Sequence, residues 1–384
     1  MTGILVILSF FILSHVDYCV SDAVSDLVSQ CRINQCTSLN LQGKGITSLS
    51  DGMFSGIPSL TQLYLGSNQI SSLPRNIFAG LPNLQWLGLE NNQITSLSSY
   101  MFTNLTNLQT FLPTSNPITS LPSDLFAGAP NLLRVQFDSC QLTTLPSNIL
   151  AGLTKLKSFS LNSNRITYLP SDIFAGLTNL QDLNLRTNVF TYLPSNIFAG
   201  LSSLQYLCLA DMGLKSIPSN IFAGLPSSLT WLQLSNNQFR TLPRNLFVGL
   251  VGLQRLDVND NNFVSLPSDI FAPLPSLTTL YIFNNKFQMV CMRHANHRFL
   301  QLSRTQIVWD VISFRQVLLG TSDITLKTRF FNRIYDPHVH PFLWTFYWQV
   351  RLCVQIAIPD RIYLRAQVQT KPHWIFFVKY LVVF

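Results

Sequence analysis

The 384-residue chain is poor in charged residues, which make up 11% of it, and it contains a single glutamate, Glu90. A lone glutamate excludes the pair of glutamates on which many acid–base catalysts depend. Every histidine beyond His15 lies after residue 291, and no glycine-rich phosphate loop is present. Nothing in the sequence supports a nucleophile–base–orienter set, so we expect neither enzymatic activity nor a cofactor.

Long apolar runs are also missing. The almost uninterrupted apolar stretch Ile4–Leu13 is too short to span a membrane, but it suits the core of a secretory signal that is cleaved after Ser21. A buried N-terminal strand is the alternative. We therefore predict a signal peptide at residues 1–21 and a secreted, extracellular protein, in a compartment where disulfides persist.

What the chain has in abundance is repetition. A 24-residue unit, Leu-x-x-Leu-x-Leu-x-x-Asn-x-Ile-x-x-Leu-Pro-x-x-Ile-Phe-x-Gly-Leu, recurs from Leu60 to Leu274. An extra residue near Pro226 shifts the last units by one position. The first residues of the units are Leu60, Leu84, Leu108, Leu132, Leu156, Leu180, Leu204, Leu229, Leu253 and Leu277. A fixed period of about 20 to 50 residues indicates a solenoid or another repeat array.

Each unit changes its pattern along its length. The period-two alternation of residues 159–161 predicts a strand, Pro170-Ser171-Asp172 predicts a turn, and residues 173–177 predict a short helical or 3₁₀ turn. Strands of successive units should pair in parallel and line a concave face. One phenylalanine per unit should stack in the core. One asparagine per unit forms a second ladder, at Asn68, Asn92, Asn116, Asn164, Asn188, Asn237, Asn261 and Asn285, with Cys140 and Met212 as its two interruptions.

This unit resembles the leucine-rich repeat family, in the 24-residue variety of extracellular members such as variable lymphocyte receptors and Toll-type ectodomains. The resemblance implies an α/β solenoid, a horseshoe with a parallel concave β-sheet and short helical or 3₁₀ turns on the convex side. It also implies that Cys31 and Cys36 form a disulfide in a cysteine-bearing cap. We accordingly divide the chain into the signal peptide, a cap with a degenerate first repeat at 31–59, a solenoid at 60–290 and a basic, aromatic-rich tail at 291–384. The family's ladder asparagine bonds loop backbone that would otherwise be buried unpaired.

The near-identical units allow exposed positions to be compared within the chain. The convex turns hardly change, whereas the exposed strand positions vary freely. Either the strand face diversified for recognition, which we favour, or turn chemistry restrains the convex side while the strands drift. On the first interpretation, the concave face binds the ligand, through Tyr64, Trp86, Arg134, Asp182, Arg186, Tyr206, Trp231, Arg255, Asp257 and Tyr281.

Spacing along the strands predicts which of these residues are neighbours. Tyr206 and Trp231 should be adjacent, with Arg255 continuing the same column, because neighbouring strands lie about 4.8 Å apart. Trp, Tyr and Arg are the residue types that anchor protein interfaces. The pair Tyr64 and Trp86 should form a second cluster, and the face between the two clusters is polar. Cys208 should be exposed on this face.

The charge of the chain is unevenly shared. The excess of +8 comes from residues 292–384, whereas residues 1–291 hold equal numbers of basic and acidic residues. A nucleic-acid binder carries its cations at the contact surface, so we expect a protein or glycan ligand and no nucleic acid. The sequence does not specify an oligomeric state. Asn104 begins a glycosylation sequon that should lie on the convex side.

The tail departs from the repeat. Residues 298–319 have the apolar spacing of a helix that would cover the last strand, and the rest contains strand-like pieces. The tail is an irregular cap, a membrane-contacting segment or an artefact of the gene model; we favour the first and third, because residues 374–384 are too short to span and 342–358 carry Arg351. Two metal-like groupings, Cys291/His294/His297 and Asp336/His338/His340, lack the convergence that zinc needs, so no metal site is expected.

We therefore predict a non-enzymatic extracellular recognition protein that binds a protein or glycan on the concave face of the solenoid. The alternatives are a structural or adhesive matrix component, and an intracellular scaffold if the N-terminal segment is retained.

Overall fold

The computed structural model describes residues 23–286 and the backbone of three further strands, Gln306–Val308, Leu364–Gln367 and Phe377–Tyr380. The chain divides into two compact units, Met1–Val317 and Leu318–Phe384. The first unit contains the repeats. The predicted signal peptide lies outside the described residues, as do Cys291 and the other members of the two metal-like groupings.

Eleven three-residue strands form one parallel sheet in chain order, one strand per coil. This arrangement is the predicted leucine-rich-repeat solenoid. The strands are β1 Ser38–Asn40, β2 Gln62–Tyr64, β3 Trp86–Gly88, β4 Thr110–Leu112, β5 Arg134–Gln136, β6 Ser158–Ser160, β7 Asp182–Asn184, β8 Tyr206–Cys208, β9 Trp231–Gln233, β10 Arg255–Asp257 and β11 Thr279–Tyr281. The middle residue of each strand is buried, so the outer two point to the concave side.

A twelfth strand, β12 (Gln306–Val308), pairs in parallel with β11. The helix predicted over 298–319 is therefore wrong at these residues, and its remainder lies outside the described part of the chain. The physical reason is the open edge of β11, whose backbone N–H and C=O groups a strand can pair and a helix cannot.

The convex side is made of successive hydrogen-bonded turns. In the coil that begins at Leu156, Ile173 N donates to Pro170 O at 3.3 Å and Ala175 N donates to Asp172 O at 2.9 Å. These bonds span three residues, as in a 3₁₀ turn, but no continuous helix forms there. Gly176 follows with a φ of 78°, a conformation that glycine adopts without a steric penalty.

Phenylalanine rings stack along the core behind the sheet. The Phe174 and Phe198 ring centroids are 6.2 Å apart with planes inclined by 16°, and Phe198 and Phe222 repeat this geometry at 6.5 Å. Such offset stacks add to the apolar area that the rings bury. Each coil thus covers the core face of the next, which a single unit could not do alone.

The asparagine ladder satisfies the backbone inside the coils. Asn188 Nδ2 donates to Leu161 O of the preceding coil and to Leu185 O of its own coil, both at 3.0 Å, while its Oδ1 accepts from Ile166 N at 3.0 Å. The hydrogen bonds predicted between the ladder asparagine and the loop backbone are therefore present in the structure. Equivalent bonds form at Asn68, Asn92, Asn116, Asn164, Asn237, Asn261 and Asn285.

The two interruptions of the ladder differ. Cys140 is buried, and its Sγ lies 3.7 Å from Pro113 O. Ile118 N, which would donate to an asparagine at position 140, instead donates to Asn116 O of its own coil at 2.8 Å. Burial raises the pKa of the Cys140 thiol to about 11, so it stays protonated as a weak donor. At Met212 there is no such replacement, and the described residues provide no acceptor for Phe190 N, which would face the missing amide oxygen.

The residue before each ladder position has a left-handed backbone. Its φ lies between 52° and 58° at Ser67, Asn91, Ser115, Ser139, Ser163, Thr187, Asp211, Asn236, Asp260 and Asn284. This conformation directs the N–H to the next coil, as where Thr187 N donates to Ala210 O at 3.1 Å. Asn, Asp and Ser tolerate it, whereas the β-branched Thr187 is strained.

A helix and a disulfide close the first coil. Over the described residues, α1 covers 23–33, and Val24, Val28 and Cys31 form its buried face. Cys31 is joined to Cys36, with Cα atoms 4.9 Å apart. The Arg32 guanidinium donates through Nε to Ser55 O at 3.0 Å. The cap predicted from the sequence begins at residue 31 and does not include this helix. The apolar residues Val24, Val28 and Cys31 nevertheless have the helical spacing i, i+4, i+7.

The second unit, Leu318–Phe384, contains two described strands. These are β13 (Leu364–Gln367) and β14 (Phe377–Tyr380), which pair antiparallel with Leu364 opposite Tyr380. They agree with the strand-like pieces that the sequence predicts in the tail.

Candidate functional site on the concave face

The strand register brings variable side chains into columns. Tyr206 pairs with Trp231, and Trp231 pairs with Arg255. Arg255 pairs in turn with Thr279, whose strand ends at Tyr281. The order follows the repeat spacing, so residues 24 or 25 positions apart in sequence become lateral neighbours.

Four of these residues form what we call the anchor cluster: Tyr206, Trp231, Arg255 and Tyr281. The Tyr206 and Trp231 ring centroids are 4.7 Å apart. The Arg255 guanidinium carbon lies 4.3 Å from the Trp231 ring centroid and 4.7 Å from that of Tyr281. Arg255 is therefore held between two aromatic faces, a cation–π arrangement that fixes a side chain which would otherwise be mobile.

A buried carboxylate orients the anchor cluster. Asp257 Oδ2 accepts from Trp231 Nε1 at 2.9 Å and from Gln233 Nε2 at 3.0 Å, and Asp257 Oδ1 accepts from Arg255 Nε at 3.0 Å. The Asp257 residue is only 4% exposed. The sequence predicts Asp257 as a ligand-contacting residue, which stays a prediction. In the structure Asp257 is the common acceptor that positions its neighbours.

The prediction that Cys208 is exposed is wrong. Cys208 is fully buried although it occupies an outward-facing strand position. The Tyr206 hydroxyl donates to Gln233 Oε1 at 2.7 Å, and Gln233 is the register partner of Cys208. The tyrosine therefore reaches across the column and covers the small thiol. Burial raises the pKa of the Tyr206 hydroxyl, so it remains a donor, and burial also raises the pKa of Cys208.

The centre of the concave face is polar and carries both signs of charge. Arg186 Nε lies 2.7 Å from Asp211 Oδ2. Asp138 accepts from Asn162 N at 2.9 Å and from the Ser160 hydroxyl. Burial raises the pKa of Asp138 in spite of these bonds.

Asp182 and Arg134 complete this polar centre. The two strands that carry them flank β6. Burial raises the pKa of Asp182, and the positive charge of Arg134 opposes this rise. Opposite charges thus alternate across the strands. This pattern offers no continuous positive tract to a polyanion.

The second predicted cluster lies at the other end of the sheet. The Tyr64 and Trp86 ring centroids are 6.2 Å apart, with planes inclined by 41°. Beside them the Glu90 carboxylate lies over Gly66 and Gly88. The place of Glu90 beside these rings was not predicted from the sequence. The signal was two glycines at strand-face positions that hold larger residues in other units: Gly66, at the repeat position of Glu90 one unit earlier, and Gly88, two residues before Glu90.

The glycosylation sequon is accessible in this structure. Asn104 is exposed on the convex side with a φ of 66°, at the repeat position where Gly80 and Gly176 have φ values of 87° and 78°. Asn tolerates this left-handed conformation better than most residues. The sequon therefore replaces a glycine with little strain.

Residues 23–286 and the three short strands contain no group of three or more His, Cys, Asp or Glu side chains that could hold a metal ion. No helix of this part of the chain is long and apolar enough to cross a membrane.

Solved structures resemble this solenoid. The Toll–Spatzle complex of Drosophila contains a chain that is 26% identical, with a TM-score of 0.62, over 73% of this chain and 37% of that one. The TLR13–ssRNA13 complex matches at 27% identity and a TM-score of 0.57, over 71% and 43%. This chain thus spans less than half of either relative's length.

A further match shows the fold alone. A chain of the octameric complex of Latrophilin 3, Unc5D and FLRT2 is 21% identical, with a TM-score of 0.59, over 72% of this chain and 90% of that one. No curated protein sequence matches significantly.

The repeats themselves identify the family. The leucine rich repeat pattern matches residues 35–94, 73–118, 154–214, 209–263 and 227–287, which together cover more than half of the sequence. With the parallel sheet and the asparagine ladder described above, the chain belongs to the leucine-rich repeat family.

Proposed function

We propose that this chain is a non-enzymatic extracellular recognition protein that binds a protein partner on its concave face, with the anchor cluster at the centre of the contact. The observation that carries the proposal is the Arg255 guanidinium held between Trp231 and Tyr281 above a buried carboxylate. Binding then costs less side-chain entropy, because the cluster is ordered before the partner arrives.

The type of partner follows from charge and residue chemistry. Arg, Trp and Tyr in a pre-ordered patch are the residues that dominate protein interfaces. The face between the clusters alternates acids and bases, which suits a partner of mixed charge better than RNA. Toll forms a complex with Spatzle, whereas TLR13 was solved in complex with RNA. Similarity to these proteins therefore does not decide between a protein and an RNA partner, and the preference for a protein rests on the residues of the concave face.

Binding by the anchor cluster can be tested with a double variant. The full chain is screened against an array of purified extracellular proteins, and the affinity of each binder is measured. Tyr206→Ala with Trp231→Ala should weaken binding by about a hundredfold or more, as expected when two hot-spot side chains are lost. The matched control is Tyr168→Ala with Tyr192→Ala, two exposed tyrosines outside the concave strands.

Three results would overturn this proposal. The first is unchanged affinity in the Tyr206/Trp231 double variant when circular dichroism shows a native fold. The second is tight binding of single-stranded RNA with no protein binder. The third is concentration-dependent self-association through the convex turns, which would support a matrix component.

Secretion is tested separately. Expression of the full chain in animal cells should give a mature N-terminus after Ser21 and a glycan at Asn104. Digestion with an N-glycosidase should shift the electrophoretic mobility of the chain, and Asn104→Gly should abolish that shift while restoring the residue that other units carry. A chain retained in the cytosol with residues 1–21 intact would support the intracellular scaffold.

A further inference from the structure

The Glu90 carboxylate accepts no side-chain or backbone hydrogen bond among the described residues. Its Oε2 is shielded from solvent and accepts no hydrogen bond from the described residues, and none of the ion pairs among them includes Glu90. Leaving a shielded carboxylate oxygen unpaired costs free energy. Two other carboxylates of this face have donors, since Asp257 receives three side-chain donors and Asp211 pairs with Arg186.

Two glycines create the space that the carboxylate occupies. A Cβ atom on Gly66 would lie 2.7 Å from Glu90 Oε1, and a Cβ on Gly88 would lie 2.7 Å from Oε2. Neither glycine has a left-handed φ, so backbone conformation does not require glycine at these positions. Their consequence is spatial, because the carboxylate lies against the sheet in the space that side chains at these two positions would fill.

Two aromatic residues neighbour the strand position over which the Glu90 carboxylate lies. Tyr64 is the register partner of Gly88, and Trp86 precedes Gly88 by two residues on the same strand. Both rings are partly exposed, and their centroids are 6.2 Å apart. The site thus presents an unpaired negative charge beside two π faces.

We propose that Tyr64, Trp86 and Glu90 form a subsite for a basic side chain, Lys or Arg, of the protein partner. The N–H groups of such a side chain would donate to the Glu90 carboxylate at Oε1, because Oε2 is shielded. Its charge would lie against the aromatic rings within about 6 Å of their centroids. The anchor cluster already contains its own cation, Arg255, between the rings. Among the described residues none supplies a cation to this subsite, which takes it from the partner. The subsite rests on the proposed function, because it requires that the protein partner covers this concave face.

The subsite can be tested without the partner. The full chain is labelled with 5-fluorotryptophan, and the Trp86 fluorine signal is assigned with Trp86→Phe. N-acetyl-lysine methylamide and N-acetyl-arginine methylamide are titrated in, with the uncharged N-acetyl-norleucine methylamide as the matched probe. The two basic probes should shift the Trp86 signal with millimolar affinity and leave the Trp231 signal unchanged.

Two variants separate charge from shape. Glu90→Gln should weaken binding of the basic probes by about tenfold, the loss expected for one charge-assisted contact. Gly66→Ala, whose Cβ would lie 2.7 Å from Glu90 Oε1 and would displace the carboxylate, should weaken it as well. Asp211→Asn, which removes a carboxylate already paired with Arg186, is the control and should leave probe binding unchanged.

Failure of the subsite and failure of the proposed function give different results. Equal binding of the norleucine probe, or native affinity in Glu90→Gln with a native circular dichroism spectrum, would overturn it. If the subsite is overturned in this way, loss of partner binding in the Tyr206/Trp231 double variant would still support the anchor cluster. Conversely, probe binding at Trp86 with no effect of that double variant would overturn the proposed function and retain the subsite.

Discussion

The indole N–H of Trp231 donates to Asp257 Oδ2 at 2.9 Å, from one repeat to the next. Trp231 belongs to β9 and Asp257 to β10, so the orientation of the main aromatic side chain depends on a residue 26 positions later. The anchor cluster is therefore a property of adjacent repeats in combination. A single unit cut from the array would not reproduce it.

Asp257→Ala should destabilise the solenoid and loosen the anchor cluster. The variant removes the acceptor shared by Trp231, Gln233 and Arg255 and leaves partly buried donors unpaired, at a cost of about 1–3 kcal/mol in the free energy of unfolding. Urea denaturation measures the change. Asp269→Ala, which removes an exposed partner of Arg244, should have a much smaller effect. Equal effects of the two variants would contradict the role assigned to Asp257.

Met212→Asn should repair the asparagine ladder. The new amide oxygen would accept from Phe190 N, and the amide nitrogen would donate to Leu185 O and Leu209 O, as Asn188 does one coil earlier with Leu161 O and Leu185 O. We expect the free energy of unfolding to rise by about 1 kcal/mol, the net value of one additional buried bond after the loss of thioether packing.

Hydrogen exchange tests the same variant locally. The Phe190 amide should exchange faster than the Ile166 amide in the native chain, because only the latter donates to a ladder asparagine. Met212→Asn should slow exchange at Phe190 and leave Ile166 unchanged. Strong native protection at Phe190 would contradict the loss of an acceptor for Phe190 N at the Met212 interruption.

Thr187→Asn should relieve backbone strain. Thr187 has a φ of 53°, where a β-branched side chain is disfavoured and asparagine is tolerated. The expected gain is about 0.5–1 kcal/mol in the free energy of unfolding. Ser163→Asn, at the same position one coil earlier, is the control and should gain less. A loss of stability in Thr187→Asn would mean that the threonine side chain makes compensating contacts.

Asp138→Asn should change how stability depends on pH. Burial raises the pKa of Asp138 in the folded state, so its contribution to stability is complete below the unfolded pKa and is lost as pH rises through the folded pKa. The native chain and the variant should therefore have similar stability in acid. The variant should become the more stable one as pH rises above about 4.

Asp269→Asn provides a control of opposite sign. A hydrogen bond from Arg244 lowers the pKa of Asp269, so its contribution is present above the unfolded pKa and is lost as pH falls through the folded pKa. This variant should be less stable than the native chain at neutral pH and should approach it in acid. Parallel pH profiles for the two variants would contradict both assignments.

Much of the fold follows from the repeat period, because a constant unit length fixes strand register, core ladders and the neighbours of each exposed residue. Side-chain directions within the face do not follow from it. Cys208 is buried because Tyr206 leans toward Gln233, and Glu90 lies flat because Gly66 and Gly88 leave room. Such positions depend on pairs of residues in different units, which a column-by-column comparison does not detect.

Strand register also has a consequence for the distance between the two aromatic clusters. Five strand spacings separate Trp86 on β3 from Tyr206 on β8, roughly 24 Å along the sheet at about 4.8 Å per strand. Because each coil offers its neighbour the same backbone acceptors, gain or loss of one whole repeat would change this distance by one strand spacing and leave both clusters intact. If the proposed function holds, the number of repeats sets the separation that the contact points of a partner must match.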